Sequence, residues 1–185
     1  MPGRSRIQLL VIGGGIGGLA AAIAASKAGQ PVHVIEKAEA FAELGAGLQL
    51  GPNVTRMLER LGILAEVLTT ATFPRFLVMR DAVSGQHITS LDLGETFLQQ
   101  FGYPYIVMHR GDLLAAELAA CHASDLITLE AQKDVVAVED LGDGARVTCA
   151  DGSLMSATRS SARMACGPAP GKWSTTMASP SARNM

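Results

Sequence analysis

The sequence has few aromatic and charged residues and no cluster of basic side chains. Of its 185 residues, 4% are aromatic and 17% are charged, whereas an average soluble domain carries about 25% charged residues. The formal net charge is -2, so the electrostatic footprint of a nucleic-acid-binding protein is missing. We therefore expect no nucleic-acid partner, and a phosphate-bearing ligand must be held by something other than cationic side chains.

Cysteine is also scarce. Cys121, Cys149 and Cys166 are widely spaced, and no Cys-x-x-Cys pair occurs. An odd number of isolated cysteines predicts neither a disulfide scaffold nor a metal site. A reducing cytoplasm is the simplest location for such a chain.

The N-terminal region resembles a secretory signal, because Arg4 and Arg6 precede a long apolar run. The five glycines between Gly13 and Gly18 would interrupt the hydrophobic helix of a signal peptide. We therefore expect this run to belong to a folded cytoplasmic domain that does not associate with a membrane.

The first 36 residues predict a β-α-β unit. Residues 7–12 form a short apolar run rich in branched side chains, which is typical of a strand buried in a parallel sheet. Residues 16–28 are rich in alanine and predict a helix that ends at Gly29. Residues 32–36 predict a second strand, joined to the first by a right-handed crossover.

The rest of the chain, up to about residue 155, predicts further α/β structure. A helix is expected from Pro52 until Gly62, with an apolar stripe of Val54, Met57, Leu58 and Leu61 facing the core. Other expected elements are a hairpin around Ser84-Gly85, a strand at 105–108, a helix at 112–121 and a hairpin around Gly142-Asp143-Gly144. Asp151-Gly152-Ser153 predicts a turn.

A glycine motif lies between the first strand and the first helix. Gly13, Gly15 and Gly18 have the spacing Gly-x-Gly-x-x-Gly, and Glu36 ends the second strand. In this arrangement the first glycine permits a tight turn, the second allows a pyrophosphate to approach the backbone, and the third allows close packing of helix and strand. The helix N-terminus would supply free N–H groups and a positive dipole end to the phosphates.

Glu36 indicates which dinucleotide the motif would take. Its carboxylate would accept hydrogen bonds from a ribose diol and would repel a 2′-phosphate. The site is therefore predicted to bind FAD or NAD rather than NADP, and the glycine motif alone does not separate these two.

Two further motifs lie beyond the β-α-β unit. The first is the segment Phe41-x-Glu43-x-Gly45-Ala46-Gly47-x-Gln49-Leu50-x-Pro52-Asn53, and the second is His109-Arg110-x-Asp112-Leu113. Both motifs resemble those of the single-component, FAD-dependent aromatic hydroxylases, the relatives of salicylate hydroxylase and p-hydroxybenzoate hydroxylase. The stretch from Met79 to Arg110 most resembles the 3-hydroxybenzoate 6-monooxygenases. The resemblance runs from about Ile7 to Leu154.

The resemblance implies a Rossmann-like, glutathione-reductase-type FAD-binding fold with inserted β-hairpins of a substrate domain. By the same resemblance, Gly13, Gly15 and Gly18 would contact the FAD pyrophosphate, and Glu36 the adenosine ribose. The resemblance also implies that Arg110 contacts the cofactor again and that the main chain near Val135 lies beside the adenine.

The implied activity is hydroxylation of a small aromatic substrate of the hydroxybenzoate class. FAD would be the cofactor, NADH the reductant and molecular oxygen the oxidant. The resemblance leaves a homodimer open, and it identifies no catalytic residue and no metal ligand in this sequence. Two alternatives stay open: another class of flavin oxidoreductase, and a non-catalytic FAD- or NAD-binding fragment.

The composition changes abruptly near Ser156. Residues 156–185 contain no Leu, Ile, Val, Phe, Tyr, Asp or Glu, so they have little apolar surface to bury. We expect residues 1–155 to form the FAD-binding domain with part of the substrate domain, and 156–185 to be a disordered tail outside the family pattern.

The family's later Gly-Ala-Asp-Gly strand has no recognisable counterpart here. Our hypothesis is a shift of the reading frame near Met155 or Ser156, which would leave a truncated domain with weak or no hydroxylase activity.

Overall fold

The computed structural model describes residues 7–41, 46–142 and 144–158. In chain order the elements are β1 (Leu9–Ile12), α1 (Ile16–Lys27), β2 (Val32–Ile35), β3 (Gly47–Leu50), α2 (Pro52–Leu61), α3 (Leu64–Thr70), β4 (Phe76–Arg80), β5 (His87–Asp92), α4 (Glu95–Phe101), β6 (Ile106–His109), α5 (Arg110–His122), β7 (Ile127–Glu130), β8 (Val135–Asp140), β9 (Gly144–Cys149) and β10 (Leu154–Thr158). This mixture confirms the predicted α/β class. In the described part of the chain, no helix is both long and apolar enough to span a bilayer.

A parallel sheet in the order β1-β2-β7 carries the N-terminal unit. Leu9 of β1 pairs with Val32 of β2, and Val32 in turn pairs with Ile127 of β7. The predicted β-α-β unit is therefore confirmed. The third strand, β7, was not predicted, because its position in the sheet depends on pairing with residues about ninety positions earlier.

The parallel sheet is covered on both faces. Leu9 and Val11 of β1 pack against α1 and α5 in one apolar cluster, which includes Leu19, Leu114 and Cys121. Leu10 of β1 points the other way and packs with Ile35, Val147, Cys149 and Ala157. Because successive side chains of a strand alternate between faces, β1 holds the helical layer and the β8-β9-β10 layer together.

The β8-β9-β10 layer is an antiparallel sheet in which β9 is central. The predicted hairpin around Gly142 is confirmed, and so is the turn at Asp151-Gly152-Ser153, where Gly152 has a φ of 80°. Ser156 pairs with Arg146, and Ala157 is buried. The boundary expected at residue 156 therefore falls inside β10, because backbone pairing needs no large apolar side chain. The rest of the expected tail, residues 159–185, lies outside the described residues.

A second helical cluster lies beneath the β3–β6 pair. It joins Leu50 and Ile106 to buried residues of α2, α3 and α5. The expected core stripe on α2 is wrong at Met57, whose side chain is 48% exposed. Thr55 is fully buried instead, because its hydroxyl donates hydrogen bonds to backbone carbonyls, including that of Pro104 at 3.0 Å.

The predicted hairpin around Ser84-Gly85 is formed by β4 and β5. Every residue of both strands is exposed. The large apolar side chains of the two strands are Phe76, Leu77, Val78, Met79, Ile88 and Leu91.

Candidate functional site

The glycine loop connects β1 to α1 and lies at the carboxyl end of β1. The N–H of Gly13 donates to the carbonyl of Ile35 at 2.8 Å, and Gly13 has a φ of 105°, in the region that favours glycine. A Cβ atom on Gly18 would lie 1.9 Å from the carbonyl oxygen of Gly13. The loop can therefore turn this tightly only with glycine at both positions.

Gly14 is a further constrained position, which the motif alone did not single out. A Cβ atom there would lie 2.3 Å from carbons of the Phe41 ring and 3.1 Å from Cβ of Glu36. The Phe41 ring and Glu36, the residue directly after β2, therefore lie against the loop at Gly14. The run of three glycines, Gly13-Gly14-Gly15, is the sequence feature that could have predicted this close contact of Gly14 with Phe41 and Glu36.

The N-terminus of α1 has no side-chain cap among the described residues. Gly15 is the N-cap residue. The first turn contains no acidic side chain. Since the first four N–H groups of a helix have no partner within it, this end presents backbone donors and a positive dipole end. A diphosphate fits this donor set, because it needs no cationic side chain there.

Glu36 is brought directly to the glycine loop. The N–H of Gly14 donates to Oε2 of Glu36 at 2.6 Å, and the N–H of Ala38 donates to Oε1 at 3.0 Å. The two oxygens of a carboxylate together offer about four acceptor positions. Glu36 therefore retains the capacity to accept ribose hydroxyls while it is held in place by these two amides.

Residues 132–135 run along the end of β2. The N–H of Lys133 donates to the carbonyl of Glu36 at 2.8 Å, and the N–H of Gln132 donates to that of Ala38 at 3.0 Å. Val135, the residue assigned to the adenine by resemblance, begins β8 two positions later. Lys133 was missed by sequence reasoning, since nothing local marks a lysine as paired to a distant turn.

Arg110 is the first residue of α5 and lies beside β3. Its N–H donates to the carbonyl of Ala46 at 2.9 Å, and Gly47 pairs with His109. The antiparallel β3–β6 pair thus brings together the two motifs that carried the resemblance. Glu43 and Gly45 of the first motif lie outside the described residues. Nearby, the hydroxyl of Tyr105 donates to Oε1 of Gln49 at 2.6 Å.

Glu117 of α5 is buried, and in sequence it is far from the glycine loop. Among the described atoms, its Oε2 has no hydrogen-bond partner. Burial raises the pKa of Glu117 to about 8. Burial, with a smaller effect of Glu117, raises the pKa of the Cys121 thiol to about 11. The described residues contain no group of three or more side chains that could hold a metal ion.

Comparisons with known proteins agree with this geometry. The family model described as FAD binding domain matches residues 6–180. The chain is 38% identical over 154 residues to a 6-hydroxynicotinate 3-monooxygenase of Bordetella bronchiseptica, covering 83% of this chain and 39% of the relative. It is 34% identical over 141 residues to a 3-hydroxybenzoate 6-hydroxylase of Klebsiella oxytoca, covering 76% of this chain and 36% of the relative.

A solved structure gives the same result at the level of the fold. The crystal structure of Klebsiella pneumoniae HpxO complexed with FAD and uric acid superimposes with a TM-score of 0.67 at 28% identity. The match covers 82% of this chain and 37% of HpxO. The chain thus spans less than two fifths of the length of the relatives that it matches. By its sequence and its fold, the chain belongs to the FAD binding domain family.

Proposed function

We propose that the chain binds FAD and forms the N-terminal portion of an aromatic-ring hydroxylase, a flavin monooxygenase that takes electrons from NADH and uses molecular oxygen. The observation that carries the proposal is the meeting of three features at one edge of the parallel sheet. These are the glycine loop, the uncapped N-terminus of α1 and the carboxylate of Glu36.

The loop would bind the FAD diphosphate. Gly13 and Gly18 hold the turn, and Gly15 at the helix N-cap leaves the backbone accessible to phosphate oxygens. The favourable interaction of one charge with the helix end contributes about 0.3–1 kcal/mol. Backbone donors of this kind account for phosphate binding in a chain whose net charge is -2.

Three other residues would orient the cofactor. Glu36 would accept the hydroxyls of the adenosine ribose, and the main chain of Val135 would lie beside the adenine. Arg110 would contact FAD at the N-terminus of α5, as the resemblance to the aromatic hydroxylases implies. When bound, FAD supplies the redox chemistry, and these residues bind and orient it.

The proposed substrate is a small hydroxylated aromatic acid. Support comes from the names of the relatives, which act on 6-hydroxynicotinate and 3-hydroxybenzoate. The stretch from Met79 to Arg110 favours a 3-hydroxybenzoate 6-monooxygenase. A cytoplasmic location, in keeping with the few cysteines, belongs to the same proposal.

We expect weak or no hydroxylation from this chain. The motif whose aspartate supports cofactor and nicotinamide binding in the family has no recognisable counterpart in this sequence. The described residues also offer no acid–base pair at the glycine loop that would act on a phenol. A non-catalytic FAD-binding fragment is therefore the second candidate.

The test begins with the visible spectrum of the purified full chain after incubation with FAD and removal of free cofactor. Retained flavin bands support the proposal, and their absence contradicts it. NADH oxidation is then followed with and without 3-hydroxybenzoate. Stimulation by the aromatic acid identifies a hydroxylase, whereas bound flavin without any stimulation identifies the non-catalytic fragment.

A further inference from the structure

A group of polar side chains lies next to the glycine loop and has no role in the proposed function. Lys133 is at its centre, with a side chain only 16% exposed. Its Nζ lies 2.7 Å from Oδ2 of Asp151, 3.3 Å from Oε1 of Glu130 and 3.4 Å from Oγ of Ser153. Oε2 of Glu130 in turn lies 2.9 Å from Nε2 of His33.

These contacts join two parts of the fold that are distant in sequence. Asp151 and Ser153 belong to the turn between β9 and β10, whereas Glu130 ends β7 in the parallel sheet. The hydrogen bond from Lys133 is the main cause that lowers the pKa of Asp151. A lysine side chain that is only 16% exposed and has three such partners is held in one position more firmly than an isolated surface pair.

The backbone around Lys133 is hydrogen-bonded to the segment that carries Glu36. The N–H of Lys133 donates to Glu36, and the N–H of Gln132 to Ala38. The N–H of Ala38 then donates to Oε1 of Glu36, whose Oε2 accepts the N–H of Gly14. Together with the covalent structure of Lys133 and Glu36, these hydrogen bonds connect the β9–β10 turn to the Glu36 carboxylate.

Gln132 shows that this segment is held in an unusual shape. Its φ of 59° is the only positive value for a residue other than glycine in the described part of the chain. Such a conformation persists when the surrounding contacts fix it. The hydrogen bond from the N–H of Gln132 to the carbonyl of Ala38 fixes one side of the bend, and the side-chain contacts of Lys133 fix the other.

We propose that Lys133 is a positioning residue for the adenosine half of the dinucleotide, acting through residues 132–135 and Glu36. The ammonium group ties the β9–β10 turn to β7 and so holds residues 132–135 against the end of β2. This inference rests on the proposed FAD site. Pyrophosphate would contact only the glycine loop, so its affinity should not depend on Lys133. The affinity for ADP should depend on it.

The experiment measures the dissociation constants of ADP and of inorganic pyrophosphate on the full chain. For Lys133→Met we expect about tenfold weaker ADP binding and unchanged pyrophosphate binding. Arg146→Met is the matched control, since Arg146 forms an exposed ion pair with Glu139 at 3.0 Å in the same antiparallel sheet. We expect Arg146→Met to bind both probes as the parent chain does, and Lys133→Arg to restore most of the ADP affinity.

Two results would overturn the inference. If Lys133→Met and the parent chain bind ADP with equal affinity, Lys133 does not position the nucleotide. If Lys133→Met loses affinity for ADP and for pyrophosphate to the same extent, the role of Lys133 is generally structural. If Lys133→Met does not fold, Asp151→Asn removes one partner of the ammonium and must still weaken ADP selectively. A parent chain that binds neither ADP nor FAD contradicts the proposed function itself.

Discussion

The N–H of Gly14 donates a hydrogen bond to Oε2 of Glu36 at 2.6 Å. This contact fixes the carboxylate beside the turn that would wrap the diphosphate. It also explains why an acid at the end of the second strand and glycines after the first act as one unit, although they are far apart in the sequence.

Replacing Glu36 with Gln should change which nucleotides the chain prefers. The variant loses a charged acceptor, and hydrogen bonds to charged groups contribute about 1.5–3 kcal/mol. We expect ADP to bind about tenfold more weakly, while the 2′-phosphorylated analogue of ADP loses less because the repelling charge is gone. Competition binding with the two nucleotides checks this. Glu39→Gln, an exposed acid two residues after Lys37, is the control and should leave both affinities unchanged.

Gly17 and Gly18 are neighbours with opposite expected responses to alanine. A Cβ atom on Gly18 would collide with the carbonyl of Gly13, whereas one on Gly17 meets nothing within 4 Å. We expect Gly18→Ala to lower the free energy of unfolding by about 3 kcal/mol or more. Gly17→Ala should raise it by about 0.5–1 kcal/mol, because alanine favours the helix. Urea unfolding without cofactor measures both, and equal effects of the two substitutions would refute this account of the loop.

Glu117 should make the stability of the chain depend on pH. Its pKa is raised to about 8 in the folded state, against an ordinary value of 4.5. The folded chain therefore keeps a proton that the unfolded chain releases, and stability falls as the pH rises from about 4.5 towards 8.

Glu117→Met removes this effect and should be more stable than the parent chain. Between pH 5.5 and pH 8 the advantage of the variant should grow by about 3 kcal/mol. Urea unfolding at the two pH values measures it. An advantage that is the same at both pH values would show that Glu117 does not retain its proton in the fold.

The β4–β5 hairpin should bind a hydrophobic dye. Leu77 and Leu91 lie opposite each other on one face of it, with 45% and 52% of their surfaces exposed. Exposed apolar patches of this kind favour association. We expect the double substitution Leu77→Thr and Leu91→Thr to lower dye fluorescence and light scattering at high protein concentration. Val83→Thr, at the exposed tip of the hairpin, should change neither signal; similar changes in all variants would contradict the assignment.

The sequence was most informative where structure depends on local signals. The β1-α1-β2 unit was predictable from branched apolar runs, alanine content and Gly29, and the α2 boundaries from Pro52 and Gly62. The position of β7 was not predictable, since strand pairing between distant segments leaves no mark in either segment alone. The same holds for Lys133, two of whose three partners lie in the β9–β10 turn.

Two residues show why the apolar pattern is incomplete. Met57 lies on the predicted stripe of α2 but is exposed, whereas Thr55 lies outside the stripe and is buried, with its hydroxyl donating to the carbonyl of Pro104. Glu117 lies on the apolar face formed by Leu114 and Cys121, yet it is buried as an acid. Leu114, Glu117 and Cys121 follow the i, i+3, i+7 spacing of one helix face, and this spacing could have predicted the burial of Glu117.

A titration of the full chain with FAD tests the central claim most directly, with the parent chain compared to Gly15→Val. The account predicts saturable FAD binding to the parent chain and loss of FAD binding in Gly15→Val, because the branched side chain would keep the diphosphate from the backbone amides at the start of α1. The circular dichroism spectra of the two proteins should be the same. A folded parent chain without affinity for FAD, or equal affinity in the two proteins, would contradict it.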